Sequence, residues 1–586
     1  MNSYKSKYLH ITIVPLLMLM ALMSCNQSNG DTNATASSGG LTGGGGLFGG
    51  KELPQASTDS VFVLNYINQE PEFKEHEELM FLFYGDRAYE LAWFRDNELV
   101  PETEKFLSTI DHATKEGLDP NKYRLVEFDK LIQQYKQLDP QDSARLELQQ
   151  KIDVALTASY FNYASDFYRG RVNPRNVGSV SWDVKKNKIK LHKALQTILK
   201  ERESTYPYYE FEALHDGYVK LREKLQEYRT LDERGGWTRV ELGNRKILKE
   251  GDSAKAVVTV RKRLYPDRDF DANDQRLHVY DKDLARDVKK FQMLHGLKQD
   301  GIVGGNTLAQ MNVPVEDRIQ QIMINMERWR WIPKRMVPKS LDQRFIWVNI
   351  PEYKLYVYED PEGDLTANRK YKEVMNMRVI VGKTMSSTPI FSDKLEYVVM
   401  APYWNVPNSI VEDEIKPKML SNPNWLASQN MEVVTREKNP KPVSPQSINW
   451  SSVTRDNFTY RVRQKPGPQN SLGMIKFLFP NEYAVYLHDT PADALFSQTD
   501  RNFSHGCVRV EQPVELAKYL MRDMPQWDEH RIRETMRGGE ETWVTLPTRV
   551  QVYLVYFTSW VDDEGNAHFR EDLYGHDKKL EQEYFG

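Results

Sequence analysis

At 586 residues the chain exceeds what a single hydrophobic core supports, about 250–300 residues, so several domains are expected. The composition is globular, and a formal net charge of −4 from 79 basic and 83 acidic side chains offers no basic surface for nucleic acid. With two cysteines, Cys25 and Cys507, it is not a disulfide-built scaffold.

Lys5 and Lys7 precede an apolar run over residues 11–23, too short to cross a bilayer and suited to the core of a secretory signal. Leu22, Met23, Ser24 and Cys25 follow, a run similar to the lipobox of bacterial lipoproteins. That likeness implies a signal peptide over residues 1–25 and Cys25 as the lipidated first residue of the mature chain; ordinary secretory cleavage is the alternative. The body is then expected in the periplasm, anchored to a membrane of the cell envelope. Residues 26–57, rich in Gly, Ser, Thr and Asn, predict a flexible tether.

Residues 58–240 read as a helical scaffold. Ile152, Leu156, Tyr160, Tyr163 and Phe167 recur at helical spacing and predict one apolar stripe on an otherwise polar helix. Residues 248–314 form a smaller helical module, with a stripe of Leu284, Val288, Phe291 and Leu294 followed by a glycine turn at Gly301 and Gly304.

Beyond a helical segment at residues 315–331 the period changes to alternation. Strands are predicted at 344–349, 354–358, 374–381, 397–400, 474–479 and 484–488, with a helix near 511–521. They place a mostly β domain at 344–535, followed over 536–586 by a C-terminal strand and a polar tail that frays or docks on the scaffold. Residues 409–464 interrupt this domain with polar, proline-containing sequence, and an insertion so long predicts a lid over a cleft. The fold class is therefore multidomain α+β. Trp404 and Asn405 are candidates for a pocket wall or a strand edge, with core packing an equal reading for Trp404.

The chemistry gathers in Ser504-His505-Gly506-Cys507-Val508-Arg509, read with Leu487-His488-Asp489. Removal or acylation of Cys25 leaves Cys507 without a partner in its own chain, so an internal disulfide is not expected; one between chains stays open. A free thiol titrates near pH ~8.5 and needs a base to become a nucleophile, and His488, 19 positions earlier, can be that base. Gly506 permits a tight turn, and the amides of Gly506 and Cys507 can face a developing oxyanion. A period of two puts Tyr486 beside His488 and Arg509 beside Cys507, where a fixed cation can clamp a substrate carboxylate. Zinc on His488, His505 and Cys507 is disfavoured because no closely spaced fourth ligand accompanies them. No metal or cofactor is called for.

His488, fifteen residues, then Ser504 to Arg509 resembles the signature of the L,D-transpeptidases, YkuD-like cysteine enzymes that cross-link bacterial peptidoglycan. Met377 to Gly382, Trp404-Asn405-Val406-Pro407, Pro466 to Gly473 and Tyr486 to Pro491 are similar to the large, multidomain YcbB-type branch, and the likeness covers roughly residues 345–521. Residues 291–308 are similar to the peptidoglycan-binding domain 1 family, from which the polar segment 267–282 departs. The resemblance implies a Cys507 thioester, release of D-alanine from tetrapeptide stems and a 3→3 cross-link. It also implies that a carbonyl at Asp489 holds His488. Tyr486 either assists the oxyanion or packs, and His505 is read as shaping the turn rather than acting as base, because adjacency to Cys507 makes the reach awkward. Ser504, His505, Arg509, Trp404 and Asn405 are the substrate-binding candidates, and the lid corresponds to a capping subdomain. The implied partners are peptidoglycan stem peptides and glycan. Rival readings keep the same core as a carboxypeptidase, a D-amino-acid exchanger or a protein-to-wall attaching enzyme, or make the chain a non-catalytic wall-binding lipoprotein.

Overall fold

The computed structural model describes residues 56–177, 189–200, 215–271, 273–333, 336, 343–359 and 371–586. The expected signal peptide, Cys25 and nearly all of the tether lie outside the described residues. The tether's expected end at residue 57 is already part of the fold, since Ser57 pairs with Glu90 and Thr58 is buried.

The scaffold is built around helix α1 (Ser143–Arg169), which starts where the Asp142 carboxylate accepts the amide of Ala144. The expected single stripe is corrected here: residues 152–164 are buried on every face. Shorter helices surround α1, so its polar positions are inside as well and need partners. Asp153, for example, accepts the Tyr84 hydroxyl at 2.6 Å and the amides of Ala92 and Trp93 at 2.7 Å each. Helix α2 (Asp216–Glu233) completes this part.

In the next module, helix α3 (Lys282–Leu294) turns Leu284, Val288 and Phe291 into a core shared with Val240, Leu242 and Leu248. A scaffold boundary at residue 240 therefore falls inside the module's packing. Segment 267–282 is also tied in, because Tyr280 is fully buried and its hydroxyl donates to the Gly301 carbonyl at 2.8 Å. Helix α4 (Val315–Trp331) then packs against α1 and α2. Within it Arg330 donates to Glu327 at 2.9 Å, and Glu327 accepts the amide of Val172 at 2.8 Å, joining α4 to the scaffold.

The β domain contains β1 (Arg344–Asn349), β2 (Lys354–Glu359), β3 (Lys372–Gly382) and β4 (Phe391–Met400). After an insertion come β9 (Ile475–Leu478), β10 (Leu487–His488), β11 (Asn502–Ser504), β12 (Val508–Val510), helix α5 (Pro513–Leu520) and β13 (Thr542–Val555). The inserted strands are β5 (Trp404–Asn405), β6 (Met431–Val434), β7 (Pro442–Val443) and β8 (Arg461–Gln464). Strands join in the order β11-β3-β12-β10-β9-β4-β13-β1-β2, and β2 pairs again with β3. Eight of the nine thus close into a barrel, a solution that removes the exposed edges an open sheet would leave. Val348, Leu355, Val379, Val398, Phe477, Leu487, Val508 and Val552 fill its core, with Leu516 and Leu520 of α5 against it.

Two boundaries change. Strand β13 lies between β4 and β1, so a catalytic domain ending at residue 535 would lack a strand its own sheet requires. The polar tail docks: helix α6 (His576–Phe585) packs on α4, Asp577 lies 2.7 Å from the Arg328 guanidinium, and the Tyr584 hydroxyl donates to the Gly117 carbonyl at 2.8 Å.

The insertion folds by itself. Strands β5-β8-β6-β7 form a separate four-stranded sheet over a core that includes Val411, Met419, Trp450, Phe458 and Val462. Trp404 and Asn405 form its first strand, so the insertion begins at residue 404 rather than 409. Trp404 packs on the insertion's own core and Asn405 is exposed. The strand-edge reading of these two residues and the core-packing reading of Trp404 match this placement, at the edge of the insertion's sheet.

Candidate active site

The site follows from one register. Strands β10 and β12 run parallel, with Leu487 opposite Val508 and His488 opposite Arg509, and the Val508 amide donates to the Tyr486 carbonyl at 3.1 Å. Leu487 and Val508 point into the barrel core with no exposure. Side chains alternate along a strand, so Tyr486, His488, Cys507 and Arg509 must leave the sheet together on the opposite face. The Tyr486 and His488 rings pack edge to face with centroids 5.8 Å apart, and the Tyr486 phenol lies close enough to the Cys507 thiol for each to shift the other's pKa. Strand β10 is shorter than expected, because Ala484 takes a φ of 53° and its carbonyl lies 3.8 Å from Cys507 Sγ.

The imidazole is held from one side. His488 Nδ1 lies 2.5 Å from the Asp489 carbonyl, which can only accept, so Nδ1 carries the proton. The Asp489 carboxylate works elsewhere, accepting the amides of Met474 and Thr490 at 2.8 Å each. The Leu472 carbonyl also faces the ring. Its loop depends on Gly473, whose φ is +62° and where a Cβ would sit 2.3 Å from the Asp489 carboxyl carbon.

Burial first, then the Arg509 charge, lowers the His488 pKa to about 3. Burial raises the Cys507 thiol to about 11, with Tyr486 and Arg509 pulling the other way. Near pH 7 the thiol and the imidazole are therefore both neutral. The Arg509 side chain makes no hydrogen bond to a described residue, and its Nε is buried without an acceptor.

A stability consequence follows. His576 is likewise lowered to about 4, chiefly by burial. Both folded pKa values lie below that of an unfolded histidine, about 6.5, so in acid the unfolded chain takes up protons that the folded chain does not. Stability should fall as pH drops from about 6.5 toward 4, by up to about 1.4 kcal/mol per pH unit for each of these two histidines. Urea unfolding at stepped pH checks this, and His576→Gln should flatten the slope.

The turn before the nucleophile uses its polar groups internally. Ser504 Oγ donates to the Cys507 carbonyl at 2.6 Å and accepts the Gly506 amide at 3.2 Å, while Thr388 Oγ1 donates to the Gly506 carbonyl at 2.8 Å. Gly506, at φ +115°, supplies the left-handed turn. Two expectations are corrected: buried Ser504 holds the turn instead of facing substrate, and the Gly506 amide is already engaged. The Cys507 amide makes no hydrogen bond to a described residue and keeps its oxyanion candidacy with the Tyr486 hydroxyl. His505 turns away from the sulfur, with Nε2 2.6 Å from Glu414 Oε1 of the insertion. Sequence reasoning missed Thr388, Glu414 and the Leu472 carbonyl, and nothing local in the sequence marks them.

Residues 343–546 match the family model described as the L,D-transpeptidase catalytic domain. This region is an L,D-transpeptidase catalytic domain. A scaffold-domain model matches residues 78–225, and a model described as "Putative peptidoglycan binding domain" matches residues 254–311. A Haemophilus influenzae protein named "Putative L,D-transpeptidase" is 36% identical over 261 residues, 44% of this chain and 49% of that protein. The chain thus spans about half the length of the curated relative it matches. A solved L,D-transpeptidase from Stackebrandtia nassauensis is 13% identical, covering 53% of this chain and 94% of that one at a TM-score of 0.18. A fused Zn-dependent amidase/peptidase and peptidoglycan-binding protein from Clostridium acetobutylicum is 13% identical, covering 53% and 99% at 0.16. Scores so low carry no argument about this L,D-transpeptidase domain.

Proposed function

We propose that the chain is an L,D-transpeptidase that makes 3→3 peptidoglycan cross-links through Cys507. The sulfur attacks the carbonyl between the L-centre and D-alanine of a tetrapeptide stem as His488 takes the thiol proton. The tetrahedral oxyanion faces the Cys507 amide and the Tyr486 hydroxyl. It collapses to a thioester while the imidazole returns the proton to the departing D-alanine amine. An amine from a neighbouring stem then attacks the thioester, and the thiol is restored. Arg509, half-buried and with no carboxylate partner among the described residues, takes the stem's terminal carboxylate. The carrying observation is the shared face: β10 and β12 bring sulfur, phenol, imidazole and guanidinium out of one side of the sheet.

We also infer that Cys25 carries the lipid that fixes the protein to a membrane of the cell envelope, which mass spectrometry of the mature amino terminus would read.

Defined disaccharide-tetrapeptides incubated with the purified protein test the chemistry. Cross-linked dimers that have lost one D-alanine are expected, and none from Cys507→Ala. Tripeptide monomers alone would reassign the same site to hydrolysis. Equal product from the Cys507→Ala variant would remove Cys507 from the reaction.

A further inference from the structure

Away from Cys507, a cavity of about 240 Å³ opens between helix α2, the small helical module, helix α4 and the hairpin that pairs Ser559–Val561 with Ala567–Phe569. That is below the ~300–1,000 Å³ of drug-sized sites and suits one group about the size of an amino acid. Tyr228, Trp237 and Phe569 supply aromatic walls, Arg263, Arg318 and Lys224 supply charge, with Lys224 paired to Glu227, His295 adds an imidazole, and no Asp or Glu lines it.

The two arginines are 8% and 4% exposed. Arg263 Nε donates to the Met311 carbonyl at 2.6 Å, and its guanidinium lies over the Trp237 ring, 3.8 Å from the centroid. Its two terminal nitrogens make no hydrogen bond to a described residue. Arg318 donates through its terminal nitrogens to Gln321 at 2.7 Å and Gln310 at 2.6 Å, and its Nε is buried without an acceptor. Neither guanidinium meets a carboxylate within ion-pair distance among the described residues; Asp317 and Glu571 act on Arg318 only from further away. Burial lowers both arginines to about 10, and for Arg263 the neighbouring Arg318 adds to the lowering. His295, held neutral by burial and by the same arginines, brings no counter-charge. Cation–π contacts offset part of the cost of burying these charges, but unpaired buried charge is otherwise expensive.

We propose that this cavity is a binding site for a small carboxylate with an apolar body, such as the C-terminal residue of a peptide. The free edge of Arg263 receives the carboxylate, with Arg318 adding charge behind it, and the apolar body lies on the aromatic walls. Arg263 and His295 come from the small module and Phe569 from the C-terminal hairpin, so an occupant would touch both. The site needs nothing from the chemistry at Cys507.

Calorimetric titration of the full chain with N-acetyl-D-alanine tests the proposal, alongside N-acetyl-D-alaninamide and inorganic phosphate. Saturable binding of the acid alone is expected. It should weaken at least tenfold in Arg263→Gln, and persist in Arg509→Gln, which separates this cavity from the catalytic cleft. Should Arg263→Gln melt early, Arg263→Lys keeps the charge without the planar fork and should still lose most of the affinity. Binding of the amide as tightly as the acid, binding of phosphate alone, no saturable heat, or unchanged affinity in both Arg263 variants would overturn it.

Discussion

His488→Ala should slow acylation of Cys507 by about 10²–10⁴-fold at neutral pH, the usual range for a positioned general base. The reason lies in the two resting pKa values. With its thiol at about 11, only about one Cys507 in ten thousand is a thiolate at pH 7, so the reaction depends on a group that removes the proton as the sulfur attacks. His488, at about 3, is unprotonated and available across the whole neutral range. Without it, the rate should follow the thiolate fraction and climb about tenfold per pH unit from 7 toward 10. The wild-type protein should climb less steeply. Intact-mass time courses of the acyl-enzyme at several pH values measure both slopes, with melting curves to confirm that the variant is folded. Wild-type acylation by the variant at pH 7 would take the imidazole out of the mechanism.

Asp577→Ala should cost about 3–5 kcal/mol of stability, because it removes the carboxylate that stands against a fully buried guanidinium. Arg328 is fully buried, and Asp577 stands 2.7 Å from it while also accepting the Thr558 hydroxyl at 2.6 Å. Replacing both partners with apolar residues of similar volume, Arg328→Met with Asp577→Leu, should be far milder than the single change, since no charge is left without its partner. Urea unfolding of the three proteins decides it. A single variant as stable as wild type would mean that the Arg328–Asp577 pair does not hold α6 in place.

Much of the candidate site's geometry was readable because it gathers rare residue types at fixed spacing: one thiol beside a glycine, one histidine on a neighbouring strand. Local period also placed helix α4 at residues 315–331. What stayed hidden depends on partners distant in sequence. The aromatic residues of α1 repeat as one stripe, yet the helix is enclosed, because its other neighbours come from segments whose packing a single period does not encode. Strand β13 alternates as expected, but only pairing with β4 and β1 makes it internal to the barrel. The Ser504 hydroxyl and Gly506 amide were misassigned for a similar reason. Sequence identifies a donor but not whether a neighbour, here the turn itself, has already claimed it. Glu414 reached His505 from 91 residues away, across an insertion whose own sheet no local pattern connects to the nucleophile.

The placement of β13 has a consequence for how the molecule comes into being. Its flanking strands, β1 and β4, are both made long before it, so during synthesis the unfinished sheet keeps a gap one strand wide with two adhesive borders. Until residues 542–555 arrive to fill it, those borders can recruit an extended segment from another unfinished chain. Assembly of the surroundings of Cys507 therefore waits on a strand made after every other strand of the barrel, and a product that stops before residue 542 would be prone to clump.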